Sequence, residues 1–163
     1  MVVRVLLERD DVSPDCQDKF GLTPLSIAAS QGREAMVRLL LSNNRVDPNS
    51  KDLTHGNTPL SVAAMEGHEL IVKLLLAKKG ISLASRNNDN QIPLWLAASN
   101  GHKDIVQLLF ERNRDDLNAQ DSKYGMTPLS IATMNGHSAI VGLLKTASMS
   151  TPGVPGMDGR RCR

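Results

Sequence analysis

The chain has 163 residues and a formal net charge of +2, from 19 Lys and Arg against 17 Asp and Glu. This length suits one modest domain with its own core, and so small a charge gives no reason to expect a nucleic acid or an anionic membrane as the partner. Only 2% of the residues are aromatic whereas 40% are hydrophobic, so Leu, Ile, Val, Ala and Met must build the interior, which favours closely packed helices.

The first predicted element is a helix at the amino terminus. Residues 3–7 (VRVLL) align with residues 37–41 (VRLLL), a run that belongs to a second helix further along. Met1 therefore falls inside the second helix of a unit whose first helix is not in the sequence. We expect residues 1–17 to form a partial repeat. Either the chain is a fragment of a longer array, which we favour, or this end packs on another molecule.

From residue 18 a unit of about 35 residues repeats four times, and such a period indicates a stacked architecture. The first apolar run of each unit occupies residues 23–29, 58–64, 92–98 and 127–133, and the second occupies residues 36–41, 71–76, 105–110 and 140–144. We place the repeats at residues 18–51, 52–86, 87–120 and 121–145. The remainder, residues 146–163, is rich in Ser, Thr, Pro and Gly, and we expect a disordered tail there.

Each unit reads as a helix, a turn and a second helix. In three copies a threonine precedes a proline, which suits a helix cap followed by the first helical position. The first run ends before a glycine, which adopts the left-handed geometry of a helix end without strain; these glycines are Gly32, Gly67, Gly101 and Gly136. One unit has too much apolar surface to be stable alone, so it must stack on its neighbours.

The four copies resemble the ankyrin repeat family, whose units carry Thr-Pro-Leu-His-x-Ala. The resemblance covers about residues 2–144 and implies an all-α solenoid of stacked helix-turn-helix units with projecting β-turn loops. Two departures stand out. The motif histidine is replaced by Ser26, Ser61, Trp95 and Ser130, which removes the basis for its usual bonds to neighbouring loops. Ile92 replaces the capping threonine, so the third repeat should begin less firmly, by roughly 1 kcal/mol.

The resemblance also implies a β-turn that projects from the start of each repeat. We call these four turns the fingers, and they comprise residues 18–21, 52–56, 87–90 and 121–125. Gly, Asn and Asp suit such turns, and Asn90 is the best residue other than glycine for a positive φ. The second and fourth fingers contain one extra residue.

Signatures of catalysis are lacking in the sequence, so we expect neither an enzyme nor a cofactor. No phosphate-binding loop, dinucleotide motif or hydrolase elbow occurs. His68-Glu69 is similar to the start of a zinc-protease helix, but Val72 stands where the second ligand is needed. His68, His102 and His137 would align as a metal column, yet we favour hydrogen bonds from these histidines to adjacent backbone. We expect Ser26, Ser61 and Ser130 to be small residues on the helix surface.

The function that the resemblance implies is binding of another protein, of unknown identity, without nucleic acid or membrane insertion. Partners of the family generally meet the fingers and the exposed side of the first helices. Carried onto this sequence, that face comprises Lys19, Phe20, Leu22, Ser30, Gln31, Leu53, His55, Asn57, Met65, Glu66, Asn88, Asp89, Gln91, Trp95, Ser99, Asn100, Lys123, Tyr124, Met126, Met134 and Asn135. Trp95 either fills a gap or anchors the partner, whereas for Phe20 and Tyr124 we favour partner contact.

Two further interpretations concern the setting of the chain. The array is alternatively the recognition or autoinhibitory segment of a larger receptor-like or enzymatic polypeptide, and its uncapped first half-repeat would also allow self-association. Cys16 lies in a loop-like segment and Cys162 in the terminal tail, so we expect no disulfide framework. Neither a signal peptide nor a membrane-spanning run is present. We therefore expect an intracellular protein, cytoplasmic or nuclear. The basic cluster at residues 160–163 is interpreted as part of a solvated tail rather than an import signal.

Overall fold

The computed structural model describes residue 9 and residues 11–149. Eight α-helices lie in this part of the chain: α1 Pro24–Ser30, α2 Glu34–Ser42, α3 Pro59–Glu66, α4 Glu69–Ala77, α5 Pro93–Ser99, α6 Lys103–Arg112, α7 Pro128–Met134 and α8 Ser138–Met149. A short 3₁₀ helix, Asp115–Asn118, follows α6. The helix predicted for residues 3–7 lies outside the described residues.

The helices alternate between two layers. The odd-numbered first helices pack side by side, the even-numbered second helices do the same behind them, and each first helix also packs on the second helix of its own repeat. One continuous core fills the space between the layers, with Leu25, Leu60 and Leu94 at the same repeat position and all but inaccessible to solvent. The predicted all-α solenoid of stacked helix-turn-helix units is confirmed.

The first helices begin as the sequence predicts. Thr23, Thr58 and Thr127 each accept a hydrogen bond on Oγ1 from the backbone N–H three residues later, at 3.2 Å. Proline occupies the next position in every copy. Ile92 provides no side-chain cap, but its side chain is completely buried, so apolar packing offsets part of the missing bond.

The turn between the two helices of each repeat depends on a glycine. Gly67 has φ 81° and Gly101 has φ 83°, in the left-handed region that glycine adopts without strain. A side chain is also excluded by packing, because a Cβ atom on Gly67 would lie 2.5 Å from Cε1 of His102. The conformation and the close approach therefore both require glycine here.

Three histidines tie neighbouring repeats together through this turn. In each case Nε2 lies 3.0 Å from a backbone carbonyl oxygen of the preceding repeat; the pairs are His68 with Ser30, His102 with Met65, and His137 with Ser99. The prediction that these histidines bond to adjacent backbone is confirmed. Each bond joins two units that also share apolar contacts in the core.

Two of the three motif serines are not surface residues, and that expectation was wrong. Ser26 and Ser61 are each only 1% exposed. The hydroxyl of each lies within hydrogen-bond distance of the capping threonine of its own helix, at 3.1 and 3.0 Å. They are buried because the next repeat covers this side of the first helix, whereas Ser130 in the last repeat is exposed as expected.

The carboxyl-terminal boundary also differs from the prediction. Helix α8 runs to Met149, so residues 146–149 belong to the fold and not to the predicted tail. Ala147 is 8% exposed and packs in the core, which explains why the helix continues. The 3₁₀ helix was not predicted. The rest of the predicted tail, residues 150–163, lies outside the described residues.

Candidate protein-binding face

Each finger is organised around an acidic or amide side chain at its first residue. In the second finger, Oδ1 of Asp52 accepts backbone hydrogen bonds from Thr54 at 2.9 Å and His55 at 2.6 Å, and Oδ2 accepts one from Asn57 at 2.9 Å. The carboxylate takes the place of backbone partners that the turn lacks. Asp52 is buried, so the finger is held from its base.

The fingers are joined to one another by backbone hydrogen bonds. The amide of Leu53 donates to the carbonyl oxygen of Phe20 at 2.9 Å, and the amide of Asn88 donates to that of His55 at 2.8 Å. A third bond, from Ser122 to Asp89 at 2.9 Å, joins the last two fingers. The four finger tips therefore form one continuous row rather than four independent loops.

Large apolar side chains are exposed along this row. Phe20 is 49% exposed, Leu53 is 72% exposed and Tyr124 is 65% exposed. A lysine accompanies each aromatic ring, with Nζ of Lys19 lying 4.9 Å from the centre of the Phe20 ring and Nζ of Lys123 lying 5.0 Å from that of Tyr124. The row thus presents exposed aromatic and apolar side chains, and aromatic residues are enriched at binding surfaces.

The last finger carries a firmly charged lysine. The neighbouring Tyr124 side chain raises the pKa of Lys123 above its ordinary value, and the nearby carboxylates of Asp89 and Asp121 act in the same direction. Like any exposed lysine, Lys123 is cationic at physiological pH, and it is exposed at the finger tip.

Most residues of the predicted face are accessible in the structure. Those that are exposed are Lys19, Phe20, Gln31, Leu53, His55, Glu66, Asn88, Asp89, Asn100, Lys123, Tyr124, Met134 and Asn135. Those that are half-buried are Leu22, Ser30, Met65, Gln91, Ser99 and Met126. Two members, Trp95 and Asn57, are buried and do not contribute surface.

Trp95 lies in the interior between the third and fourth repeats. Its side chain is 7% exposed, and its indole N–H donates a hydrogen bond of 2.8 Å to the carbonyl oxygen of Met126 in the next finger. Of the two interpretations left open, the structure shows that Trp95 fills a gap. It also supplies a bond to a neighbouring loop from the position where the motif histidine is missing.

Asn57 is buried by a hydrogen-bonded group of amides that the sequence did not reveal. Asn57 is 5% exposed, and its Oδ1 accepts a bond of 3.1 Å from Nδ2 of Asn87. The same Nδ2 atom also lies 3.1 Å from Oε1 of Gln91. Because Asn87 begins the third finger, these amides fix the third finger to the second.

An apolar groove lies beside the first full repeat and was also not predicted. It has a volume of about 400 Å³ and is lined by residues of the loop before α1, including the exposed free thiol of Cys16, and by one flank of α1 and α2. Ile27 is 36% exposed there, whereas its equivalent Ile131 is 5% exposed. Ile131 is covered by the first helix of the preceding repeat, α5, and α1 has no such neighbour among the described residues.

Two further findings concern the described part of the chain alone. It contains no group of three or more His, Cys, Asp or Glu side chains placed to hold a metal ion. None of its helices is long and apolar enough to cross a membrane.

Stacked helix-turn-helix units with projecting turns define the chain as a helical repeat protein of the solenoid class. A family model described as ankyrin repeats, in three copies, matches residues 1–87 and 80–151. The chain belongs to the ankyrin repeat family. No curated protein matches it. Ankyrin repeats generally act as protein–protein interaction modules and are typically non-catalytic.

Proposed function

We propose that the fingers and the exposed ends of the first helices form a single surface that binds another protein inside the cell. The observation that carries this proposal is the row of backbone hydrogen bonds between consecutive fingers. Because these bonds fix the finger tips relative to one another, side chains from all four repeats face a partner together. Helix ends such as Glu66 and Asn100 extend the surface away from the fingers.

Rigidity supports binding by this surface. Each loop or long side chain that a partner must immobilise costs free energy, and a surface already held in place avoids much of that cost. The fingers are held by the side chain of Asp52 and its counterparts, by bonds between fingers, and by the Asn57–Asn87 contact. The tips therefore need little rearrangement on binding.

The distribution of apolar side chains supports the same surface. Among the described residues, three of the six large hydrophobic side chains that are exposed, Phe20, Leu53 and Tyr124, lie on fingers, and Met134 lies at the end of α7. Aromatic anchors surrounded by polar groups are the residues that most often dominate binding energy. The surface therefore suits a protein partner with an apolar contact centre and a polar rim.

The experiment begins with capture of the partner by the immobilised full chain, followed by calorimetry with the purified partner. Phe20→Ala and Tyr124→Ala should weaken binding, at least one of them by more than about 1 kcal/mol. Trp95→Ala is not a suitable variant, because it would remove a buried side chain and test packing instead.

Charge reversals on the second helices serve as controls. Lys73 and Lys103 are exposed on α4 and α6, so Lys73→Glu and Lys103→Glu should change the affinity much less than the finger variants. A greater loss from the second-helix variants than from the finger variants would overturn the proposed surface.

A further inference from the structure

The chain contains two copies of the tripeptide Asn-Gly-His at equivalent positions. Asn100-Gly101-His102 ends helix α5, and Asn135-Gly136-His137 ends helix α7. Both asparagines are exposed. The tripeptides are identical, so any difference in the reactivity of the two asparagines must come mainly from the fold around them.

An asparagine before a glycine is prone to loss of its side-chain amide in water. The glycine nitrogen gives up its proton and bonds to Cγ of the asparagine, the Cγ–Nδ2 bond breaks, and ammonia leaves with the proton. Water then opens the cyclic imide at either carbonyl group, which yields aspartate or isoaspartate. Glycine favours the reaction because it has no Cβ to obstruct ring closure. Water is the only co-reactant.

The folded backbone holds both asparagines away from this reaction. Asn100 has ψ 2° and Asn135 has ψ 2°. At that angle the glycine nitrogen eclipses the backbone nitrogen of the asparagine and is rotated away from its side chain. Ring closure therefore requires the turn to open, and the rate follows the free energy of that local opening.

The turn at Asn100 is held closed by the fourth repeat. The His137 ring packs against Gly101, where a Cβ atom would lie 2.7 Å from Cε1. Nε2 of His137 lies 3.0 Å from the carbonyl oxygen of Ser99, and Nδ2 of Asn135 donates to that same oxygen at 2.8 Å. Opening this turn means separating two repeats.

The turn at Asn135 makes its side of these two bonds, but no side chain in the described part of the chain packs against its own glycine. A Cβ atom on Gly136 would meet no atom of the described residues within 4 Å. The Gly136 amide donates to the carbonyl oxygen of Thr133 in its own turn, at 3.2 Å. Among the described residues the fourth repeat has a neighbouring repeat on one side only, so it should open more readily than a repeat held on both sides.

We propose that Asn135 is a site of spontaneous deamidation, converted to aspartate and isoaspartate well before Asn100. The conversion has a structural consequence, since Nδ2 of Asn135 donates to the carbonyl oxygen of Ser99. The product replaces this donor with a carboxylate beside a carbonyl oxygen. Deamidation therefore removes a bond between the third and fourth repeats and loosens the end of the array.

The experiment incubates the folded full chain in mildly alkaline buffer and follows both asparagines by peptide mapping with mass spectrometry. Asn135 should convert at least about fivefold faster than Asn100, which corresponds to a difference of roughly 1 kcal/mol in opening free energy. In concentrated urea the two conversion rates should become nearly equal, because the tripeptides are the same. Equal rates in the folded chain, or faster conversion at Asn100, would overturn the proposal.

Two variants complete the experiment. Asn135→Gln retains an amide but disfavours the five-membered ring, so conversion at this position should largely cease. Conversion at Asn100 should stay the same or rise, because the Asn135 amide also holds the Asn100 turn. Asn135→Asp reproduces the charge of one product and should lower the urea midpoint relative to Asn135→Gln. A midpoint for Asn135→Asp equal to that of Asn135→Gln would contradict the loosening of the fourth repeat.

Discussion

At the residue scale, one repeat position shows how the neighbouring repeat decides the role of a side chain. Ser26 and Ser61 are buried against their own capping threonines, Ser130 is exposed at the end of the array, and Trp95 reaches the next finger. The burial of this position depends on whether another repeat covers it. That information is not contained in the local sequence.

The capping threonines provide a test at this scale. Thr58 is 1% exposed, and Thr58→Val keeps its shape but removes the oxygen that accepts the Ser61 amide and pairs with the Ser61 hydroxyl. We expect the free energy of unfolding to fall by about 1 to 2 kcal/mol, measured by urea denaturation. An unchanged midpoint would mean that the cap does not stabilise α3.

The backbone conformation of individual residues was the feature that the sequence predicted best. The positive φ of Asn90, 62°, was expected because asparagine stands where the three other fingers have glycine. The absence of a side-chain cap at Ile92 was also expected, because isoleucine stands where the other repeats have the capping threonine. The burial of Asn57 was not, because it depends on Asn87 in the next repeat.

At the element scale, the helix starts and ends follow local chemistry, and the exceptions follow packing. Proline after threonine marks the start of a first helix and glycine marks its end. By contrast, α8 extends to Met149 because Ala147 packs on the core. Such an end is set by tertiary contacts, which a composition rich in Ser and Thr does not reveal.

Among the described residues, α1 exposes a flank that is covered in α7. Ile27 is 36% exposed in α1, whereas Ile131 is 5% exposed in α7. Ile131→Ala should therefore cost about 2 kcal/mol or more, and Ile27→Ala about 1 kcal/mol or less, because the cost depends on the packed volume that is lost. Urea denaturation of both variants compares the same substitution at the same repeat position. A larger loss for Ile27→Ala would show that its flank is covered in solution.

At the scale of the whole molecule, stability comes from contacts between adjacent repeats, and the proposed binding depends on alignment of the fingers. The four-repeat architecture could be read from the recurring motif. The row of fingers could not be established from sequence, because its bonds join residues such as Phe20 and Leu53 that belong to different repeats. Turn propensity predicts where a finger forms but not which residues of the neighbouring finger it bonds to.

A cavity in the central stack tests the coupling between repeats. Leu75 is completely buried in α4, so Leu75→Ala should lower the free energy of unfolding by about 2 to 5 kcal/mol. The unfolding transition should also become broader, with a smaller change in unfolding free energy per molar urea, because the two halves of the array uncouple. Lys73→Ala on the exposed side of α4 should stay within about 0.5 kcal/mol of the parent. A Leu75→Ala variant with the parent's midpoint would contradict the packing described.

The central claim, that the fingers bind the partner, is tested most directly by one matched pair of substitutions. Leu53 on the second finger is 72% exposed and Leu70 on α4 is 56% exposed, so truncation of either to alanine leaves the core intact. In calorimetric titration with the captured partner, Leu53→Ala should weaken binding by more than about 1 kcal/mol, while Leu70→Ala should leave the affinity nearly unchanged. A loss of affinity for Leu70→Ala with none for Leu53→Ala would contradict the account.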